Sequence, residues 1–183
     1  MREAAGHARR VPNVTPYLID IAPLLTEDER LTWQSTAEFA RSRVLPSIVA
    51  HYEAGTFPRE LIPEFARMGL LGAPLEGYGC AALNPVAYGL TMLELEKVDS
   101  GIRSFCSVQT ALAMWPIYAY GSDEQKEQWL PRMARGEAIR CVGLTEPNSG
   151  RDPGSMGTHA VQTEAGGDYV LNGQKMWITN SPI

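Results

Sequence analysis

Cys141-Val142-Gly143-Leu144-Thr145-Glu146-Pro147-Asn148-Ser149-Gly150-Arg151-Asp152 opens as a short apolar run and breaks at Pro147 into residues that favour sharp turns. Such a strand-to-loop passage points several backbone N–H groups one way, which suits a phosphate or a polar heterocycle. Downstream, Met176-Trp177-Ile178-Thr179-Asn180 sets a large flat side chain two residues from a hydroxyl. In a strand, positions two apart share a face. Trp177 and Thr179 are therefore expected to stack on, and hydrogen-bond to, one planar ligand. Read separately, each motif also fits a plain turn or an ordinary strand.

Around these motifs the pattern predicts strands at 140–145, 158–163, 169–171 and 175–179, with turns at Gly166-Gly167 and at Asn172-Gly173, the latter of the type I′ hairpin kind. Upstream the periodicity is helical. Thr26-Glu27-Asp28-Glu29 is a capping box expected to open a helix to about residue 43, and Pro46 to start another that Gly55 ends. A third helix is expected at 59–68, closed by Gly69. Asn84-Pro85 caps a long one at 86–98, broken at Asp99-Ser100-Gly101. A further helix is expected at 102–113 with Pro116 beyond it, and Ser122-Asp123-Glu124-Gln125 opens the last, to about 134, before Gly136.

Composition bounds the function. The 183 residues are 44% apolar and 20% charged, as in an ordinary globular protein of one domain or two small ones. A net charge of −5 argues against a general nucleic-acid surface. No apolar run approaches the ~20 residues that a membrane span needs. Cys80, Cys106 and Cys141 form no C-x-x-C pair, so they signal neither a disulfide framework nor zinc, and they are expected as small buried side chains. That usage fits a reducing compartment, hence a cytoplasmic location or the mitochondrial matrix in a eukaryote. Residues 1–10 read as a floppy terminus or a short presequence. His7, His51 and His159 are isolated, and Trp33, Trp115 and Trp129 read as helical core or interface.

Leu144-Thr145-Glu146-Pro147 with Gly150 and Asp152, followed by Trp177-Ile178-Thr179-Asn180, resembles the flavin-binding segments of acyl-CoA dehydrogenases. Further stretches resemble the glutaryl-CoA dehydrogenase branch of that family: Gly77-Tyr78-Gly79-Cys80, Asp99-Ser100-Gly101-Ile102-Arg103-Ser104, Ser107-Val108-Gln109, the run from Pro116 to Ser122, and Thr179-Asn180-Ser181-Pro182. The resemblance spans about 25–183. It implies an α+β, acyl-CoA dehydrogenase-like fold: an arm at 1–25, an all-helical N-terminal domain at 26–137, and the first strands of a β-barrel-like middle domain at 138–183. On this reading the chain is truncated, and the C-terminal helical domain is absent.

The resemblance also implies FAD, held by Val142, Gly143, Leu144, Thr145, Glu146, Pro147, Asn148, Ser149, Gly150 and Arg151, with Trp177, Ile178 and Thr179 covering the isoalloxazine. It assigns the acyl pocket to Glu96, Arg103, Ser104, Ser107, Arg151 and Thr179. There, arginine and serine would receive the distal carboxylate of glutaryl-CoA, since a buried carboxylate needs charge-assisted partners. Arg151 stands where the family usually has a serine that contacts CoA. The family's general base is a glutamate of the C-terminal helical domain, so no catalytic residue is expected in this chain, and Glu146 reads as structural. The expected reaction is α,β-dehydrogenation and decarboxylation of glutaryl-CoA to crotonyl-CoA, with electrons passed to an electron-transfer flavoprotein and a homotetramer as the complete enzyme. Two alternatives stand beside it: another short-chain or dicarboxylic acyl-CoA dehydrogenase, and a non-catalytic remnant of the fold.

Overall fold

A computed structural model describes residues 20–164 and 166–183. Most of the expected N-terminal arm lies outside the described residues, with the presequence reading of 1–10 and with His7. The first long helix, α1 (Glu27–Phe39), starts at the expected box: Thr26 Oγ1 accepts from the Glu29 N–H at 3.3 Å, and Glu29 Oε2 accepts from the Thr26 N–H at 2.8 Å. The other Glu29 oxygen takes Asn84 Nδ2 at 3.0 Å, while Asn84 Oδ1 caps α4 (Pro85–Val98) through the Ala87 N–H. One buried carboxylate thus ties together the starts of two helices that pack along each other.

The breaks expected at Pro46 and before Pro116 do not occur. α1 runs through a π-helical turn, Ala40–Val44, into α2 (Leu45–Ala54), with the Leu45 N–H on the Ala40 carbonyl five residues back. Likewise α5 (Ser100–Ser107) passes through Val108–Met114 into α6 (Trp115–Tyr120), and the Trp115 N–H reaches the Thr110 carbonyl. A proline ring clashes with the carbonyl four residues back in a regular helix; the wider π turn just before each proline lets the helix continue. Between α4 and α5 the break is a single extended residue, Asp99, whose side chain caps α5 at the Ile102 N–H, 2.7 Å. α3 (Ile62–Arg67) ends at Gly69, and α7 (Asp123–Ala134) opens on the Ser122 box.

Phe39, Phe65 and Phe105 form the centre of the core with Leu70, Leu71, Leu95 and Ile102. Phe65 lies 5.9 Å from Phe39 and 5.8 Å from Phe105, and Phe57 lies 4.7 Å from Phe105. A second cluster joins Leu75, Met114, Leu130 and Met133. Of the cysteines only Cys106 is buried; Cys80 is half-buried and Cys141 exposed. Of the tryptophans expected at core or interface positions, Trp129 packs against the second cluster, while none is fully buried. Trp33 is half-buried and bonded to Glu94, Trp115 is half-exposed, and the half-buried Trp129 ring has the guanidinium carbons of Arg132 and Arg140 at 5.4 and 4.7 Å.

After α7 the chain is extended, but only two of the four expected strands form among the described residues. β1 (His159–Gln162) and β2 (Tyr169–Asn172) make an antiparallel hairpin, His159 opposite Asn172 and Gln162 opposite Tyr169, turned at Gly166-Gly167. Segments 140–145 and 175–179 share one backbone bond, Met176 N–H to the Thr145 carbonyl at 3.0 Å. A strand is completed by its neighbour's hydrogen bonds, and alternation in sequence cannot supply that neighbour. Asn172-Gly173 is not a hairpin: Gly173 instead presses on Thr158, whose Oγ1 would lie 2.1 Å from a Cβ there.

Phe105→Ala should therefore cost about 3–5 kcal/mol, the usual range for emptying a buried phenylalanine site, measured by urea unfolding. A loss below about 1 kcal/mol would contradict this core.

Candidate functional site

The loop after Thr145 is built around a buried carboxylate. Glu146 accepts from the Gly157 N–H at 2.7 Å, the Thr158 N–H at 3.0 Å and Lys175 Nζ at 2.8 Å. Lys175 first, then these amides, hold its carboxyl down to about 2, against an ordinary value of 4.5. The backbones of Glu146 and Ser149 bond each other in a tight turn at 3.0 and 3.1 Å. The hydroxyls of Ser149 and Ser155 both donate to the Asp152 carbonyl, closing the loop over Pro147, Asn148, Gly150 and Arg151. Glu146 is thus an internal hub, turned into the loop, and Lys175, which the sequence reading did not nominate, also reaches the Leu144 carbonyl at 3.1 Å.

What this frame leaves open faces outward. Among the described residues, the N–H groups of Val142, Gly143, Leu144 and Thr145 donate to nothing, and the Thr145 and Thr179 hydroxyls have no partner. The Trp177 indole is 83% exposed. It does not share a strand face with Thr179, which corrects the expectation: Trp177 has φ +59°, and residues 175–182 curl around an open hollow of about 590 Å³. Positive φ is costly for a bulky residue. The segment is held by Met176 at one end and Asn180 at the other, whose Nδ2 donates to the carbonyls of Phe105 at 3.3 Å and Arg140 at 3.5 Å.

Arg103 stands on α5 with Nε on Glu96 Oε2 at 2.5 Å; both side chains are part-exposed, at 36% and 46%. An exposed pair of this kind adds at most about 1 kcal/mol of stability. Its two Nη groups donate to nothing among the described residues, so the fork that grips a carboxylate is free. Ser104 and Ser107 are half-buried beside it, and the Ser107 hydroxyl donates to the Ser104 carbonyl at 3.1 Å. The Asn180–Phe105 bond brings the Thr179 segment to this helix, one residue from Ser104. Arg151 is exposed, with no ion pair among the described residues.

Asn180 and Gln109 also escaped the sequence reading as site residues. The signal available was a lone carboxamide in a run of small and hydroxylated residues, Ser107-Val108-Gln109-Thr110-Ala111, and one closing the Trp-Ile-Thr-Asn motif. Among the described residues no helix is long and apolar enough to cross a membrane.

Comparison with known proteins identifies the domains. Residues 26–137 match the acyl-CoA dehydrogenase N-terminal domain, and 141–183 the middle domain. The short-chain specific acyl-CoA dehydrogenase of Clostridium acetobutylicum is 36% identical over 160 residues, covering 87% of this chain and 42% of that protein. The crystal structure of glutaryl-CoA dehydrogenase from Mycobacterium smegmatis is 52% identical, with a TM-score of 0.84 over 87% of this chain and 41% of that one. A glutaryl-CoA dehydrogenase from the same organism in complex with FADH2 gives 50% identity and a TM-score of 0.84, over 88% of this chain and 41% of that one. The chain spans about two-fifths of the length of the curated relatives it matches.

Because the Glu146 carboxyl is depressed in the fold, its contribution is complete above pH 4.5 and is lost as pH falls toward about 2. Urea midpoints measured from pH 5 to pH 2 should fall more steeply for the wild type than for Glu146→Gln. Parallel slopes would contradict the hub.

Proposed function

The chain belongs to the acyl-CoA dehydrogenase family, and from that premise we propose that it supplies the flavin loop and the acyl anchor of an FAD-dependent glutaryl-CoA dehydrogenase. The observation that carries the substrate is the free Nη fork of Arg103 beside Ser104 and Ser107, backed by Glu96. A fatty-acyl chain ends in methyl and needs no cation. A dicarboxylic acyl chain ends in a carboxylate that, once out of water, needs charge-assisted donors.

The residues present fit a flavin: four free N–H groups at 142–145, the Thr145 and Thr179 hydroxyls, and an exposed aromatic plate at Trp177. The 142–150 loop and Arg151 would hold the cofactor's polar parts, and Trp177, Ile178 and Thr179 would lie against its ring. FAD, when bound, supplies the acceptor for the hydride leaving Cβ. The chain's own residues orient and shield: Arg103, Ser104 and Ser107 fix the distal carboxylate, Glu96 holds the guanidinium, and Thr179 offers a hydroxyl at the ring. The α-proton goes to a base that this proposal assigns to no residue of 1–183; loss of CO2 then leaves a carbanion at the γ-carbon, and a proton returned there, from that base or from water, gives crotonyl-CoA. An electron-transfer flavoprotein as acceptor and a homotetramer complete the reading. A second reading, another short-chain or dicarboxylic acyl-CoA, is favoured by Arg151, whose unpaired cation alters the contact made to CoA.

In the complete FAD-loaded enzyme, Arg103→Ala should lower kcat/KM for glutaryl-CoA by roughly 100-fold, on the scale of a lost buried charge pair, and change butyryl-CoA by less than about threefold. An equal fall on both substrates sinks the carboxylate anchor. Trp177→Ala should weaken FAD binding by about tenfold, the scale of one lost aromatic contact, read by fluorescence titration; unchanged affinity removes Trp177 from the site.

A further inference from the structure

Arg140 is the residue through which the chain leaves the helices and enters the 141–145 run. Two buried carboxamides hold its backbone from opposite sides. Gln109 Oε1 accepts from the Arg140 N–H at 2.9 Å, and Asn180 Nδ2 donates to the Arg140 carbonyl at 3.5 Å. Gln109 is fully buried and also donates through Nε2 to the carbonyls of Ala138 at 2.9 Å and Met133 at 3.3 Å. Asn180, 6% exposed, also donates to the Phe105 carbonyl at 3.3 Å. Phe105 and Gln109 are four residues apart on the continuous run that carries Arg103 and Ser104. Both carboxamides therefore tie the two peptide units that flank Arg140 Cα to the same helical stretch.

Strain collects at this point. Asn180 has φ +70°, three residues after the strained Trp177, and its Oδ1 is buried with no partner among the described residues. Costs of this kind persist where the surroundings over-determine a geometry, and they cluster at functional segments. Ser104 and Thr179 each lie one residue from the Asn180–Phe105 bond. Whatever sets that bond sets the gap between the Arg103–Ser104 helix and the 177–179 segment.

We propose that Asn180 and Gln109 are positioning residues which, by gripping both sides of the Arg140 backbone, fix the separation between the acyl-anchoring helix and the flavin-facing segment. The inference rests on the function proposed above. Neither side chain touches the reacting atoms. They act on rate by holding the two halves of the site in register, where a displacement of about 1 Å is enough to cost roughly 100-fold.

The test uses the complete FAD-loaded enzyme, with Asn180→Gly, which tolerates the positive φ and deletes the amide, and Asn180→Asp, which keeps the size and replaces the donor. Hydrogen exchange is followed across residues 139–146, and flavin bleaching is timed in a single turnover with the acyl-CoA that the wild type oxidises fastest in a panel. Both variants should exchange at least tenfold faster at 139–146, leave α7 unchanged, keep FAD occupancy within about twofold, and bleach about 10- to 100-fold more slowly per bound flavin. Gln109→Glu should move both readouts the same way. A residue with a merely structural role would lower yield or Tm and leave the rate per bound flavin intact, and that result overturns the proposal, as does unchanged exchange at 139–146. Should Asn180→Gly fail to fold, Asn180→Asp decides. A wild type that bleaches with no acyl-CoA would remove the proposed function, and the exchange readout alone would then decide the clamp.

Discussion

The seam between the helices and the extended part of this chain depends on one fully buried carboxamide. Gln109 satisfies two carbonyls at the end of α7 and one N–H at the start of the 140–146 run. The Met133 carbonyl also accepts from the Gly136 N–H, but the Ala138 carbonyl and the Arg140 N–H have no other partner among the described residues, and a buried group left unpaired costs about 1–3 kcal/mol. The arrangement sets where the extended 140–146 run begins. Asn180 closes the opposite side of the same seam, and the Glu146–Lys175 hub fixes the loop a few residues on. With those three anchors in place, the 142–145 amides and the Trp177 ring are held toward a ligand by groups that need no ligand themselves.

The division of labour is visible in the charges. Glu146 is buried, multiply bonded and strongly acidic, so it carries structure and is a poor candidate for moving protons near neutral pH. Arg103 is part-exposed, engaged at one nitrogen and open at two, the arrangement expected of a side chain awaiting an anion. The contrast is between a carboxylate enclosed by its partners and a cation left partly open to solvent.

Features decided by neighbours in sequence were legible. The caps at Thr26, Asn84 and Ser122 and the stops at Gly55, Gly69 and Gly136 stand as read, because each rests on contacts within a turn. Pro46 and Pro116 misled, because a π turn upstream of a proline leaves no mark in the hydrophobic period. The strand readings at 140–145 and 175–179 failed for a related reason: pairing is a property of two segments, and alternation describes only one. The Trp-Ile-Thr-Asn segment was recognisable by its residue types and unreadable in its geometry, since the positive φ of Trp177 and Asn180 depends on where both ends are tied. Gln109 and Asn180 escaped notice because their partners lie 24 to 75 residues away.

The most direct measurement is anaerobic mixing of the FAD-loaded complete enzyme with excess glutaryl-CoA, following the flavin's visible band and the products together. The account predicts bleaching, with crotonyl-CoA and CO2 released in step with flavin reduction. A flavin that stays oxidised under glutaryl-CoA yet bleaches with butyryl-CoA would contradict it.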